Sequence, residues 1–434
     1  MRRRGRGLRV AEAGVAARVR NIVGGSAGNL VEWFDWYAYS VLTVYFAPVL
    51  LPGQSKTAEL LSAALIFAVG FLMRPIGAWA MGIYSDRHGR KSGLALSVGL
   101  MAGGSVMIAA APTYAAAGWL APAVLLLARL LQGLSVGGEY GASATYLSEM
   151  ALKDRRAFWA SFQYFTLIGG QLLALAVVLL LQSVMSEDAL QAWGWRVAFA
   201  VGAVLALAVY WLRTRLAETE AFATQSAERP PSTVARLWND HPREFLIVAA
   251  ISAGGSIAFY AYTTYMQKYL VNTSGFSRPQ ATMVMTAALI FFMAIQPLWG
   301  MAGDRWGRKP LLYIFGFGGM IVSVPVFTAL STETNVLAAF GLVLIPLAVL
   351  GAYTSISGLI KAELFPAHIR TLGVALPYAL GNALFGGTAE YAALWFKGAG
   401  AESGFYWYLT AVIAMATVGF VLLPETRRTS LIAD

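Results

Sequence analysis

Long apolar runs broken by short polar loops organise this chain. A helix needs about 20 mostly apolar residues to cross the hydrocarbon core of a bilayer. Runs of that kind lie at 22–50, 57–84, 91–111, 117–149, 156–185 and 192–214, and again at 243–272, 279–303, 309–330, 335–362, 370–397 and 402–424. They are too long for barrel strands, and a bilayer admits only helices or closed barrels. The pattern predicts an all-α membrane protein of twelve transmembrane helices. The only long hydrophilic interruption, 215–242, reads as a linker. It divides an N-terminal six-helix half, 22–214, from a C-terminal six-helix half, 243–424. A basic tail, 1–21, precedes them and a short tail, 425–434, follows.

Composition agrees with this pattern. Of 434 residues, 58% are hydrophobic and 12% charged, against about 25% charged in a typical soluble domain. The net charge of +10 would suggest nucleic acid in a soluble protein. Its placement says otherwise. Most of the 32 Lys and Arg fall in the loops on the side of both termini, whereas Lys56, Arg196, Lys268, Arg278 and Lys397 fall on the other side. Only Arg74 and Arg129 are expected inside spans. Cytoplasmic loops carry the excess of Lys and Arg, so both termini are expected in the cytoplasm, and nucleic acid is not needed to explain the charge. The first ten residues, MRRRGRGLRV, are basic, but the run after them contains Glu32 and Asp35 and no small-residue cleavage site. It is expected to be an uncleaved first span.

The chain has no cysteine, which excludes disulfides, thiolate catalysis and Cys-ligated metals. His88, His241 and His368 stand beside charges or Pro between apolar runs. No metal, no cofactor and no enzymatic activity are expected. No G-x-x-x-x-G-K-[ST] loop is present, which argues against an ATP-driven pump.

The chain also repeats itself. Gly82-Ile-Tyr-Ser-Asp86-Arg-His-Gly89-Arg90-Lys91 recurs six helices later as Gly300-Met-Ala-Gly-Asp304-Arg-Trp-Gly307-Arg308-Lys309. Glu149 with Arg156 is echoed by Glu363 with Arg370, and Glu218-Thr219 by Glu425-Thr426. Three matching pairs in order indicate two pseudo-symmetric halves related by an axis along the membrane normal. In each loop, glycines allow tight turns and close helix approach. Asp86 can pair with loop arginines or with the start of a neighbouring helix. Gly82, Asp86, Gly89 and Arg90, with Gly300, Asp304, Gly307 and Arg308, are therefore candidates for a conformational latch.

Charged groups inside a span cost about 2.5–3.5 kcal/mol each on insertion scales and usually face a partner or a water-filled cavity. Glu32, Asp35, Arg74 and Arg129 are such groups. At about 1.5 Å per residue, Asp35, Arg74 and Arg129 lie near the midplane. Glu32, Asp35 and Tyr39 share one helix face, and Arg129, Gln132, Glu139 and Ser143 form one stripe. Gly133, Gly137 and Gly141 make an adjacent small-residue seam. Arginine suits a carboxylate and stays charged. A carboxylate in a partly dry site can carry a proton, because burial favours its neutral form and a nearby Arg its charged form.

The repeated loop resembles the signature of the major facilitator superfamily. Asn29-Leu-Val-Glu-Trp-Phe-Asp35, Phe71-Leu-Met-Arg-Pro-Ile-Gly77 and Arg129-Leu-Leu-Gln-Gly-Leu-Ser-Val-Gly-Gly-Glu-Tyr140 resemble its metabolite:proton symporter family. Phe162–Gln171, Thr263–Thr273 and Tyr353–Gly358 are most similar to that family's 2-oxoglutarate (alpha-ketoglutarate) permeases. The resemblance implies proton symport of a small dicarboxylate, with 2-oxoglutarate the first candidate, across a bacterial inner membrane, by a protein expected to work as a monomer in the lipid bilayer. Citrate, shikimate and proline/betaine remain alternative cargoes, and a non-transporting sensor is a further alternative. Asp35 opposite Arg129 resembles the proton-coupling pair of related sugar symporters. We therefore expect proton coupling at Asp35, with Glu32 second, and substrate binding at Arg74 and Arg129. Tyr39, Tyr164, Gln171, Tyr260, Tyr378 and Asn382 are candidate pocket walls, with Gln296 beside them, and Glu390 a candidate for an outer gate.

Overall fold

The computed structural model describes residues 2–53, 56–223 and 231–432. Residues 224–230 of the expected linker and 433–434 of the expected last tail lie outside the described residues, as do the side chains of 2–18 and 20 in the expected basic tail. Twelve helical passes run through the described residues. The first six are α1 (Arg2–Leu50), α2 (Lys56–His88), α3 (Arg90–Ala109), α4 (Leu120–Met150), α5 (Lys153–Val184) and α6 (Glu187–Thr214). Then come α7 (Pro242–Asn272), α8 (Arg278–Trp306), α9 (Arg308–Thr332), α10 (Val336–Ala362), α11 (370–398) and α12 (Ser403–Leu422). No strand occurs among the described residues.

Among the described residues, nine of these helices are long and apolar enough to cross a membrane on composition alone. The other three are α1, α2 and α11, and they carry Glu32, Asp35, Arg74 and Asn382. Polar groups at membrane depth lower the hydropathy of a span where it faces protein or water instead of lipid.

The halves meet along α2 with α11 and along α5 with α8, which are equivalent pairs in the repeat, and along α4 with α10 and α11. Close approach within the first half depends on glycine. A Cβ at Gly137 would overlap the carbonyl of Arg74, and one at Gly133 would strike the backbone at Gly70. The α4 seam thus sets the position of the α2 backbone that bears Arg74.

Several cations assigned to loops by sequence are inside the fold, and two of them lie away from the repeated motifs. Arg213, near the end of α6, and Lys361, near the end of α10, are both completely buried. Both stand within two residues of an expected span end, where periodicity gives no sign of what packs against them.

Candidate functional site

One face of the molecule is sealed by the repeated loops. Gly89 and Gly307, with φ of 102° and 97°, turn the chain into α3 and α9. That left-handed region favours glycine. Glu218 accepts the backbone N–H groups of Arg90 and Lys91 at 3.1 and 3.3 Å, and Glu425 those of Arg308 and Lys309 at 2.9 and 3.0 Å. These carboxylates satisfy orphan donors at two helix starts. Asp86 accepts from the backbone N–H of Thr371 and Leu372 at 3.0 and 3.1 Å, at the start of α11. Its counterpart Asp304 accepts from Ala157 and Phe158 at 2.8 and 2.9 Å, near the start of α5. Each aspartate therefore ties its own half to a helix of the other. Arg90 pairs with Asp86 and Glu149 at 3.2 Å, and Arg308 with Glu363 at 3.2 Å.

On the opposite face a cavity of about 750 Å³ opens between the halves. That is the size of a small-ligand site. Trp33, Trp36 and Phe71 form an aromatic wall, Gln171 and Tyr260 supply polar groups, and Lys268, Arg278 and Glu390 stand among its lining residues. Lys268 and Glu390 form an ion pair.

Arg74 lies directly behind the wall. Its guanidinium is 4.4 Å from the Trp36 ring centroid and 4.0 Å from that of Phe71. Nη1 donates to the Tyr260 hydroxyl at 3.1 Å and to Asn382 Oδ1 at 3.3 Å, whereas Nε has no hydrogen-bond partner. The Tyr260 and Asn382 contacts come from π-helical turns at Tyr260–Tyr265 and Asn382–Gly386. π-Turns in helices are frequent at functional sites.

The other candidates separate into layers. Tyr164, Tyr378 and Asn382 line a small void beside the cavity, together with Trp33 and Tyr260. Arg129 is one layer out, 4.2 Å from the Trp36 ring and 4.4 Å from the Tyr39 ring. The Tyr39 hydroxyl donates to Ala63 O at 3.0 Å. The two acids of α1 diverge. Asp35 accepts from Ser105 and, at 3.1 Å, from Gln132, whose Oε1 receives Arg129 Nη1 at 2.7 Å. Gln132 thus bridges the pair that sequence placed face to face. Glu32 instead accepts from Ser135 at 3.2 Å and shares a void with Arg74. Gln296 is buried and accepts from Thr354 at 3.0 Å. Glu139 pairs with Arg213.

Sequence reasoning missed the aromatic wall, the Gln132 bridge and Lys361. The wall had a signal, since Trp33 and Trp36 flank the acidic positions of α1.

Residues 26–389 match the family model described as Major Facilitator Superfamily. The chain is 53% identical over 405 residues to the alpha-ketoglutarate permease of Escherichia coli, covering 93% of both chains. The chain belongs to the major facilitator superfamily. It is a membrane transporter of that superfamily and not an enzyme. It is also 32% identical over 418 residues to a citrate-proton symporter of Salmonella typhi, again covering 93% of each. In fold it matches the proton:xylose symporter XylE bound to 6-bromo-6-deoxy-D-glucose, with a TM-score of 0.82 at 20% identity, covering 96% of this chain and 98% of the other. Two six-helix halves around a central cavity are thus this superfamily member's architecture.

Proposed function

We propose that the chain is a proton-coupled symporter for a small dicarboxylate, with 2-oxoglutarate the first candidate, working by alternating access. The observation that carries this is Arg74. A guanidinium held against the Trp36 and Phe71 rings, directly behind the wall of a central cavity, with an unpartnered Nε, is a ready-made partner for a carboxylate. The similarity to an alpha-ketoglutarate permease and a citrate-proton symporter favours a carboxylate over a sugar or a cation.

In this reading Arg74 anchors substrate, and Arg129, reached through Gln132, biases the protonation of Asp35. Glu32, in the void shared with Arg74, is the second candidate for the proton. The protein would work as a monomer in a bacterial inner membrane with both termini in the cytoplasm, so the cavity faces outward and the sealed loop face inward. The Asp86 and Asp304 contacts would break and reform as the halves rock.

The test is uptake of labelled 2-oxoglutarate into proteoliposomes under an imposed inward proton gradient, with unlabelled citrate, betaine and proline as competitors. Gradient-driven accumulation that unlabelled 2-oxoglutarate abolishes and betaine leaves intact is the expected result. Accumulation of betaine or proline with no response to dicarboxylates would replace the proposed cargo, and no transport of any of these would remove the proposal.

A further inference from the structure

Lys361 is fully buried in α10, with no carboxylate within ion-pair distance of it among the described residues. Its ammonium donates to the Tyr140 hydroxyl at 2.8 Å and to Ser357 Oγ at 2.9 Å. It also lies 4.5 Å from the Tyr378 ring centroid, 4.8 Å from Tyr140 and 5.7 Å from Tyr353. An ammonium has three donors, and here only two of them find hydroxyls. Taking such a cation out of water costs several kcal/mol, and neutral hydroxyls and ring faces are modest compensation. A position that needed only packing would be filled at lower cost by Leu or Met. Arg213 is the instructive contrast. It is equally buried, but it binds both oxygens of Glu139 and donates to the carbonyls of Leu94 and Gly25. Arg213 is neutralised in place, whereas Lys361 is not.

A ladder of contacts joins Lys361 to the site above it. Arg74 donates to Asn382, and Asn382 Nδ2 donates to the Tyr378 hydroxyl at 2.8 Å. The Tyr378 ring stacks on Tyr140 at 3.4 Å between centroids and 10° between planes, and the Tyr140 hydroxyl receives Lys361. Tyr140 belongs to α4 in the first half, whereas Tyr378 and Lys361 belong to the second. Both contacts cross between the halves, so a parting of the halves on the loop face would open the stack and take the Tyr140 hydroxyl from Lys361 in the same movement. The freed ammonium would then be separated from Arg74 only by Tyr378 and Asn382.

We propose that Lys361 is a second anion anchor behind the Tyr140–Tyr378 stack, taking the distal carboxylate of a dicarboxylate as the halves part on the loop face. This rests on the dicarboxylate reading above and adds the element that distinguishes two carboxylates from one. A ligand with a single carboxylate satisfies Arg74 and leaves Lys361 unused.

The experiment compares binding of 2-oxoglutarate and 2-oxopentanoate to the full-length protein in lipid nanodiscs by titration calorimetry. The two ligands share a five-carbon 2-oxo acid skeleton and differ in the distal carboxylate. Wild type should prefer 2-oxoglutarate. Lys361→Met should weaken 2-oxoglutarate by about tenfold or more, the scale of one lost charge-assisted contact, and leave 2-oxopentanoate nearly unchanged. Lys361→Arg should keep the preference. Equal losses for both ligands, or no loss for either, would mean that Lys361 only packs the interface and would overturn the proposal. If wild type shows no binding of 2-oxoglutarate, the cargo reading falls and takes the anchor with it. A wild-type preference that survives in Lys361→Met removes the anchor alone. Should Lys361→Met fail to give a monodisperse protein, Tyr140→Phe decides. It keeps the cation and removes its closed-state partner, so the preference should persist or rise, and a collapse of the preference overturns the proposal.

Discussion

Glu149 on α4 and Arg370 at the start of α11 meet at 2.5 Å across the interface of the two halves, both side chains fully buried. Arg90 reaches the same carboxylate at 3.2 Å and also donates to the backbone carbonyl of Ala367 in the other half. Glu149 is therefore held by cations from both halves, and the Thr219 hydroxyl adds a third donor at 2.5 Å. Removing one partner of a buried pair leaves an uncompensated charge and costs about 3–5 kcal/mol. Glu149→Gln leaves Arg90 and Arg370 without their shared anion, and the sealed face should open more often. Because the chain has no native cysteine, a single cysteine placed at Ser357 reports this cleanly. Its modification by a maleimide should be several-fold faster in Glu149→Gln than in its absence, and an unchanged rate would show that the network does not hold the face shut.

Arg74 should be sensitive to shape as well as charge. Loss of a hydrogen bond to a charged group costs about 1.5–3 kcal/mol, roughly ten- to a hundredfold in affinity. Arg74→Ala should raise the apparent KM for 2-oxoglutarate by that factor. Arg74→Lys should recover little of the loss, since an ammonium cannot stack a planar group against Trp36 and Phe71 or present a fork of donors. Concentration dependence of uptake measures both variants, and full recovery by Lys would reduce Arg74 to a point charge.

Asp35 and Glu32 can be told apart by the kind of transport that survives. Asp35→Asn keeps the hydrogen-bonding shape that Ser105 and Gln132 require but cannot carry a proton. Gradient-driven accumulation should disappear while exchange of labelled for unlabelled substrate persists. Glu32→Gln should then leave accumulation largely intact. The opposite pattern would transfer the proton role to Glu32, which shares a void with Arg74.

The glycine seam gives a prediction about stability. Gly137→Ala places a methyl group against the Arg74 carbonyl and the backbone N of Ala78, neither of which can rotate away. Overpacking of this kind costs about 1–3 kcal/mol. The variant should melt several degrees lower and bind substrate more weakly, because the strained backbone bears Arg74. Gly103→Ala on α3 meets nothing within 4 Å and should be neutral or slightly stabilising, since Ala is the better helix former. Thermal unfolding in detergent distinguishes the two, and equal melting temperatures would discount the seam.

The order of helices, the internal repeat and the family were legible in the sequence because lipid imposes its rule locally. Every span must be apolar over its own length, whatever surrounds it. Pairing across the fold is not local. The repeated loop showed that Asp86 and Asp304 are equivalent, but only the packed structure set each against a helix start in the other half. Asp35 and Arg129 were visible as charges at similar depth, and only tertiary structure placed Gln132 between them. The same holds most clearly for Lys361 and Arg213. Both sit near span ends, where sequence sees a cation beside a loop. Whether such a cation is solvated, neutralised by Glu139, or left among hydroxyls and aromatic rings depends on what the other helices bring to it, Glu139 to Arg213 and Tyr140 to Lys361, each more than seventy positions away. Hydropathy is a property of a segment, whereas electrostatic compensation is a property of a contact. The first is written along the chain, and the second exists only once the two halves have closed on each other.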